Sequence, residues 1–363
     1  EITRVTRPST IYWSQFLVPE TNINGLSTVY DQSFESYEQR YGGIQKLFNE
    51  NMGLVMLQEL KCAMIPVQRI IYGDLSLNNT VGASTAVLSP QAVYYAGEFG
   101  IGRNPESFAV YGSAKYFIDV SRAVVLRLSN DGLTPISDTA SMHNYFTDKC
   151  RFININGGTK IFGAYDIKFN EYVIAFNGMV VPEPAPAIAA AETLAWNERA
   201  NQWSTFYSYH PEGMCGSNTG IVSFYGGALY KHNVNTILED SYNTFYGEHT
   251  PSEFWVICNA SPSNVKILLA ISEETNSPWE VHSITTPNKQ QSNLIESDFQ
   301  EKENNQYAAL WKDQLTPNVV HPLINGDVMR DRTFLAKFRY NEAVYNKINA
   351  VNFEIIPSNL SNR

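Results

Sequence analysis

The stretch LAWNERANQWSTFYSY (194–209) shows the pattern that decides the fold: an apolar run, a polar turn and a second run rich in aromatic residues. The same pattern recurs in LVMLQELKCAMIPV (54–67) and YFIDVSRAVVLRL (116–128), with shorter relatives in GAYDIKFNEYVIAF (163–176) and IVSFYGGALYKHN (221–233). Two strand-length runs joined by a tight polar turn are typical of a β-hairpin. Hairpins that repeat without helical spacers predict laterally or radially repeated antiparallel sheet. The sequence therefore predicts an all-β chain, organised as a β-propeller-like array of antiparallel hairpins.

Length and changes of pattern predict the domain organisation. At 363 residues the chain exceeds the usual size of one simple core. Residues 1–36 are polar and predict an N-terminal arm, and residues 37–249 carry the repeated hairpins of the propeller-like domain. Residues 250–363 are predicted to form an additional C-terminal β-rich module. Within this module, FWVICNASPSNVKILLAISEE (254–274) predicts a hairpin, and NNQYAALWKD (304–313) predicts a helix or an irregular element.

Two segments interrupt the hairpin pattern. Residues 142–146 are compatible with a short helix. The stretch PEPAPAIAAAE (182–192) is rich in proline, which favours extended backbone, so it predicts a protruding loop between two strands.

The composition favours β-strands and makes some classes of binding partner more plausible than others. Aromatic residues make up 13% of the chain and fit the half-buried surface of a sheet. Only 17% of the residues are charged, and Asn, Ser and Thr supply much of the polar surface. Such a surface suits a protein inside an assembly, although an ordinary soluble β protein is an open alternative. The net charge of −10 argues against nucleic-acid binding by phosphate neutralisation, but it is compatible with a lumen through which DNA passes.

The sequence offers no catalytic, cofactor or metal position. It contains no Walker A loop, no HExxH and no GxSxG motif, and its six histidines are scattered. No run approaches the length of a membrane helix, so no stable membrane insertion is expected. The cysteines are far apart in sequence and are predicted to be free buried thiols: Cys62, Cys150, Cys215 and Cys258.

The acidic residues allow a functional and a structural interpretation. A glycosidase needs two carboxylates that converge on one sugar bond, but a solvated charged face is the favoured interpretation of the C-terminal clusters. These clusters contain Glu273, Glu274, Glu296, Asp298, Glu301 and Glu303. Asp119 and Asp166 each stand at the end of a strand that contains aromatic residues and are predicted to cap turns.

One aromatic set is a candidate contact surface. Trp196, Trp203 and Tyr207 lie in the hairpin at 194–209, and flat rings of this kind can stack on the C–H faces of sugars. The alternative is that the two tryptophans pack between adjacent sheets. Strand alternation sends some of these rings into the core by necessity, so packing is the favoured interpretation.

Longer segments resemble a known family. They are AVYYAGEFGIGRNPESFAVYGSAKYFIDVSRAVVLRLSNDGLTPIS (92–137), TLAWNERANQWSTFYSY (193–209) and SFYGGALYKHN (223–233). The matching features are the turn at 103–107, the Tyr-Phe-x-Asp strand end, the Arg-Leu-Ser-Asn-Asp-Gly-Leu turn, the Trp-Asn-Glu hairpin and the Leu-Tyr-Lys-His strand. In these features the chain resembles the muzzle or nozzle structural proteins at the distal end of short phage tails, as in crAss-like bacteriophages. The resemblance covers roughly residues 37–313.

The resemblance implies a virion structural protein rather than an enzyme. A muzzle subunit would be repeated around a ring that forms or closes the DNA exit channel, and would take part in genome retention and ejection. The implied partners are other copies of the chain, other phage tail proteins, and DNA that passes without sequence recognition. The implied location is the virion tail, after assembly in the bacterial host cytoplasm.

Two further expectations concern processing and an alternative role. The chain begins with Glu1 rather than Met, which suggests a cleavage product or a segment of a longer chain, and fragments of the same precursor would then be partners. The alternative role is a glycan-binding or glycan-degrading tail component that contacts the host surface. The Trp- and Tyr-rich hairpins and the paired carboxylates are the features that support this alternative.

Overall fold

A computed structural model describes residues 5–15, 24–50, 53–67, 87–178, 190–234, 241–310 and 328–358. The chain divides into two compact units, Glu1–Val234 and Asn235–Arg363. Antiparallel strands dominate both units, and the described residues contain one α-helix, so the prediction of a mainly β chain is confirmed. The predicted domain limits after residues 36 and 249 stay predictions.

The first unit contains one small sheet and four successive meanders. The small sheet pairs β1 (Thr10–Tyr12) with β2 (Phe34–Ser36). Sheet A consists of β3 (Ile44–Glu50), β4 (Gly53–Gln58), β5 (Cys62–Pro66) and β6 (Val93–Tyr94). Sheet B consists of β7 (Ala109–Tyr111), β8 (Ala114–Asp119), β9 (Val124–Ser129) and β10 (Gly132–Pro135). Sheet C consists of β11 (Ile161–Asp166), β12 (Glu171–Phe176), β13 (Glu192–Asn197) and β14 (Gln202–Tyr207), and sheet D of β15 (Gly213–Ser217), β16 (Gly220–Tyr225) and β17 (Ala228–Lys231).

The five hairpins predicted within the first unit are confirmed. They are the antiparallel pairs β4–β5, β8–β9, β11–β12, β13–β14 and β16–β17. Within each of the four sheets, strands that are consecutive in the chain are also neighbours in the sheet. The local turn signals therefore decided the topology of this unit, because each hairpin needs contacts only between sequence neighbours.

The four sheets stack face to face in chain order. Strands β8, β11 and β12 are buried at all six of their positions. Because successive side chains point to opposite faces, such strands must be covered on both sides. Apolar clusters that join successive sheets contain Leu57 with Phe117, Ile118 with Ile174, and Val173 with Ile221. The predicted succession of antiparallel sheets is therefore confirmed, whereas the propeller-like arrangement stays a prediction, because no closed ring of sheets occurs in the part of the chain that the structure describes.

A helix packs against sheets B and C. Helix α1 (His143–Asn156) follows sheet B and is longer than the predicted segment 142–146. It buries Phe146, Cys150 and Ile153 in the cluster between sheets B and C, a spacing of four and three residues that places them on one helix face. The predicted loop at 182–192 follows β12, and its residues up to 189 lie outside the described part of the chain.

The second unit contains two larger sheets around one core. Sheet E has the order β20 (Ser252–Cys258), β27 (Phe334–Tyr340), β22 (Glu280–Thr285) and β23 (Gln291–Leu294). Sheet F has the order β24 (Gln300–Lys302), β25 (Asn305–Ala309), β21 (Lys266–Thr275) and β26 (Arg330–Asp331), with β28 (Ile348–Pro357) also paired to β21. A short hairpin, β18 (Thr244–Phe245) with β19 (Glu248–His249), precedes them. One cluster combines side chains of both sheets, including Leu268, Ile271, Phe334 and Phe338, as in a β-sandwich.

Two predictions for this unit are wrong. The segment 254–274 is not a hairpin, because β20 pairs with β27 whereas β21 pairs with β25, β26 and β28. The turn between them instead carries the chain from one sheet of the sandwich to the other. The described part of 304–313 is not helical or irregular, since Asn305–Ala309 is a strand that pairs with β21. In both cases a distant strand supplies the pairing, which a local pattern cannot reveal.

Candidate functional site

The first strands of four successive sheets line one cleft in the first unit. Its volume is about 620 Å³. Lys46 of β3, Ala109 of β7, Ala164 of β11 and Cys215 of β15 all contribute to its wall. The cleft therefore lies where the four sheets converge, and its shape depends on how closely their first strands approach one another.

Glycine at position 163 lets β11 approach the turn that precedes β7. A Cβ atom at Gly163 would lie 1.9 Å from the backbone oxygen of Ser107, which no side chain can tolerate. The hydroxyl of Tyr172 donates a hydrogen bond to the same Ser107 oxygen at 2.7 Å. A glycine in a strand often marks such a close backbone approach. The Ser107 carbonyl, in the turn just before β7, therefore contacts two strands of sheet C beside the cleft.

The wall of the cleft consists mainly of apolar side chains and backbone atoms, and it contains few charged groups. Its charged lining residues are Lys46 and Glu106, and the ammonium of Lys46 lies 5.6 Å from the ring centre of Phe108. No histidine lines it, so its wall offers no nucleophile–imidazole pair. Within the described ranges, no group of three or more His, Cys, Asp or Glu residues is placed to hold a metal ion. Nor is any helix there long and apolar enough to cross a membrane.

A column of tyrosine rings joins sheets B and C. Tyr111 stacks on Tyr165 with ring centres 4.3 Å apart and an interplanar angle of 7°. Tyr116 lies 5.5 Å from Tyr165 and 5.0 Å from Tyr172. Burial raises the pKa of the Tyr116, Tyr165 and Tyr172 hydroxyls, so all three are neutral at physiological pH. The column is a structural connection made of alternating rings from two sheets.

One carboxylate anchors this column at Tyr116. Glu198, in the turn between β13 and β14, accepts hydrogen bonds from the Tyr116 hydroxyl at 2.9 Å and from the indole nitrogen of Trp196 at 3.1 Å. Its second oxygen accepts a bond from Nε of Arg127 at 2.7 Å. Glu198 therefore links a turn of sheet C to β8 and β9 of sheet B. Hydrogen bonds to an ionised group are the stronger kind, so this contact fixes the relative position of the two sheets.

Comparison with known families identifies the chain. Residues 84–227 match the crassvirus muzzle protein, and residues 240–313 match the crassvirus muzzle protein C-terminal domain. The chain belongs to the crassvirus muzzle protein family. This confirms the family that the sequence motifs indicated. No curated protein compared with the chain matches it.

In this muzzle family member, each match falls within one compact unit. The first match contains sheets B and C, the tyrosine column and Glu198, together with most of the cleft wall. The second begins close to the start of the second unit and includes β20 and β21. Membership of the family makes the protein a structural component of a phage tail.

The predicted aromatic surface is divided between two faces of sheet C. Trp196 is only 1% exposed, and its ring lies 5.7 Å from that of Trp203, whose indole donates to the backbone oxygen of Ile136 at 3.0 Å. A bulge beside Trp196 shifts the β13–β14 register. As a result Tyr207 packs in the cluster on the opposite face and donates its hydroxyl to Glu171 at 3.0 Å. The structure therefore brings the two tryptophans together and separates them from Tyr207.

The predicted turn-capping acids are confirmed. Oδ1 of Asp119 accepts the backbone N–H of Arg122 at 3.2 Å, and its Oδ2 accepts that of Gly100 at 3.0 Å. Oδ1 of Asp166 accepts the N–H of Lys168 at 2.8 Å. Both carboxylates thus satisfy backbone donors at strand ends, as short acidic side chains commonly do.

Glu273 contradicts the prediction of a solvated acidic face. It has no exposed surface and lies in β21, where Oε2 accepts the backbone N–H of Trp279 at 2.8 Å. Burial raises its pKa to about 8. The other acidic residues of these clusters, Glu274, Glu296, Asp298, Glu301 and Glu303, are exposed or half-exposed as predicted.

The sequence did not reveal Glu198 or the cleft. Glu198 stands in a polar turn, where a solvated acid is the ordinary expectation. Its partners Tyr116 and Arg127 lie more than seventy residues earlier in the chain. The only local signal was the neighbouring tryptophan, whose buried indole nitrogen requires a hydrogen-bond acceptor.

Proposed function

We propose that this chain is a ring subunit of the phage tail that forms or closes the DNA exit channel and takes part in genome retention and ejection. The observation that carries the proposal is the match to the muzzle family in both compact units. The role is structural, without catalysis and without a cofactor. The protein works in the virion tail, after assembly in the bacterial host cytoplasm.

The four stacked sheets act as blades of a propeller-like domain within residues 37–249. Propellers repeat antiparallel sheets around a central channel, and here the first strand of each sheet lines the same cleft. The stack continues from sheet A to sheet D through three shared apolar clusters. Residues 1–36 serve as an arm and residues 250–363 as a separate module of the same subunit.

The DNA channel lies between subunits rather than within one chain. A cleft of about 620 Å³ has the size of a small-molecule pocket, which is typically about 300–1,000 Å³, and is too small for duplex DNA. A ring therefore requires several copies of the chain, with contacts that close by rotation. The net charge of −10 keeps phosphate groups from adhering to the subunit, so DNA passes without sequence recognition.

The partners follow from this position in the tail. They are other copies of the chain, other tail proteins, and fragments of the same precursor if the chain is a cleavage product. None of these contacts requires a bound metal or small molecule. The subunit contributes rigid surfaces to the ring. The burial of β8, β11 and β12 on both faces supports this role, because strands packed on both sides form a rigid core.

Depletion of the chain during infection tests the proposal. Host cells that block its synthesis should yield particles with heads but with genomes that leak and become sensitive to added nuclease. Supplying the chain from a plasmid should restore infectious, nuclease-resistant particles that contain it. Infectious particles that lack the chain altogether would rule the proposal out.

A further inference from the structure

Strand β20 forms one edge of sheet E, and its outer face is unusually apolar. In the described part of the chain β20 pairs with β27 alone, through seven consecutive residue pairs without a bulge. Trp255 is 60% exposed and Ile257 is 66% exposed, and both lie on the face that points away from the core. The core-facing residues Phe254 and Val256 are themselves only partly buried. Both faces of this edge therefore have apolar surface that remains to be covered.

The usual features that protect an edge strand are missing from β20. Natural sheets block their edges with proline, lysine, bulges or inward charges. The sequence SEFWVIC contains no proline and no lysine, and its pairing with β27 is regular. Its one charge, Glu253, is already neutralised by Lys337 at 2.7 Å and lies 3.8 Å from Arg339. An unprotected apolar edge of this kind is a site for the addition of another strand.

We infer that β20 pairs with β20 of a second copy of the chain as an antiparallel strand. Residues opposite each other in an antiparallel pair share one face of the sheet, so a two-fold axis passes at one residue of the strand, and Trp255 and Val256 lie near the middle of β20. With the axis at Val256, Trp255 lies opposite Ile257 of the second copy, and Phe254 lies opposite Cys258 of the second copy. With the axis at Trp255, Glu253 would lie opposite Ile257. The first register pairs apolar with apolar side chains and is the one selected.

Charge also favours a second copy as the partner. The Val256-centred register places Glu253 opposite the neutral Asn259, and the two copies bring no like charges together along the seam. The Lys337 ammonium, 5.2 Å from the ring centre of Trp255, stays paired within its own chain. Aromatic and β-branched cross-strand pairs are favourable neighbours on such a face. The contact is isologous, so each copy supplies the same surface.

The β20–β20 interface is small and therefore weak, and it is a contact in addition to those that would build the proposed ring. A single seven-residue strand buries less area than a standard stable interface, so dimerisation is expected at micromolar concentrations. The inference does not depend on the role in the tail. A chain that builds a ring through other faces still presents this edge, and a chain with another role does so too.

Sedimentation of the full chain, with Cys215→Ser to remove its exposed thiol, tests the inference. The chain should dimerise with increasing concentration, and Trp255→Lys should raise the dimer dissociation constant at least about tenfold, the equivalent of 1.4 kcal/mol. Ile295→Lys is the matched control, because Ile295 is also exposed in the second unit but follows β23 at the far edge of sheet E. The Ile295→Lys variant should dimerise with the same dissociation constant as the parent chain.

Oxidative cross-linking in the same background tests the register. Val256→Cys should form a disulfide-linked dimer, since opposite residues of an antiparallel pair lie within disulfide reach. Trp255→Cys and the exposed control Val344→Cys should cross-link far less. The inference would be overturned by a parent chain that stays monomeric or by a cross-link at Trp255→Cys instead of Val256→Cys. It would also be overturned if β20 paired only with polypeptides other than a second copy of the chain. Normal particle assembly with any of these results would leave the proposed tail function intact.

Discussion

The Tyr116 hydroxyl donates a hydrogen bond to Glu198 at 2.9 Å, and this contact ties a hairpin turn of sheet C to a central strand of sheet B. Trp196 and Arg127 donate to the same carboxylate. A stack of sheets depends on such contacts, because strands such as β8 and β12 are buried on both faces. Glu198 is therefore expected to stabilise the first unit more than an ordinary turn residue does.

Replacing Glu198 tests this contact. Glu198→Ala removes the acceptor of three donors, and it should lower the free energy of unfolding of the first unit by about 1–3 kcal/mol, since the site is partly exposed. Urea unfolding followed by tryptophan fluorescence measures the change. Glu98→Ala is the control, because Glu98 is exposed and makes no ion pair among the described residues. Equal unfolding midpoints for the two variants would show that Glu198 is an ordinary surface acid.

The close approach at the cleft gives a second prediction. Gly163→Ala should destabilise the first unit by about 3 kcal/mol, because its Cβ atom would lie 1.9 Å from the Ser107 oxygen. Gly213 lies on the first strand of sheet D and lines the same cleft, but an added Cβ there has its nearest neighbour at 3.7 Å. Gly213→Ala should therefore be tolerated. Thermal unfolding compares the two, and similar losses would mean that sheets B and C do not touch at this carbonyl.

Glu273 predicts that the second unit loses stability as the pH rises. Its pKa of about 8 in the folded chain is above the ordinary value of 4.5, so the folded state binds the proton more tightly than the unfolded state. The stability linked to this proton is complete below about pH 4.5 and disappears as the pH rises through about 8. The exchange protection factors of β21 and β22, from which the intrinsic pH dependence of amide exchange has been divided out, should fall over this range, and Glu273→Gln should remove most of this fall. Glu274→Gln, at the exposed neighbour, should leave it unchanged.

His232 predicts the opposite pH dependence for the stability of the first unit. Burial lowers the pKa of His232 to about 4, and its Nε2 lies 2.6 Å from the Ser223 hydroxyl. The folded state therefore holds this imidazole neutral. The stability linked to the neutral form is present above about pH 6.5 and disappears as the pH falls through about 4. A histidine NMR titration that gave His232 a pKa above 6 would contradict the buried, neutral assignment.

Local patterns were sufficient for the strand pairing of the first unit. Each hairpin there joins sequence neighbours, and a turn such as Asn130–Asp131 before Gly132, whose φ is 99°, has recognisable chemistry. The acids at Asp119 and Asp166 were predictable for the same reason, since they cap turns within three residues.

The second unit and the cleft depend on distant contacts and could not be predicted. Strand β20 has the alternation of a hairpin arm, but its partner is β27, about eighty residues later in the chain. Glu273 is an acid within an acidic cluster, and only the packing of two sheets shows that it is buried. The bulge beside Trp196 likewise sends Tyr207 to the other face, which alternation alone does not predict.

A cryo-electron microscopy map of the intact virion tail tests the central claim most directly. The account predicts several copies of this chain in a ring at the distal end, with an axial channel between subunits and sheets A to D stacked as blades within each copy. A map in which the chain is absent from the tail, or in which the DNA path runs through a single chain, would contradict it.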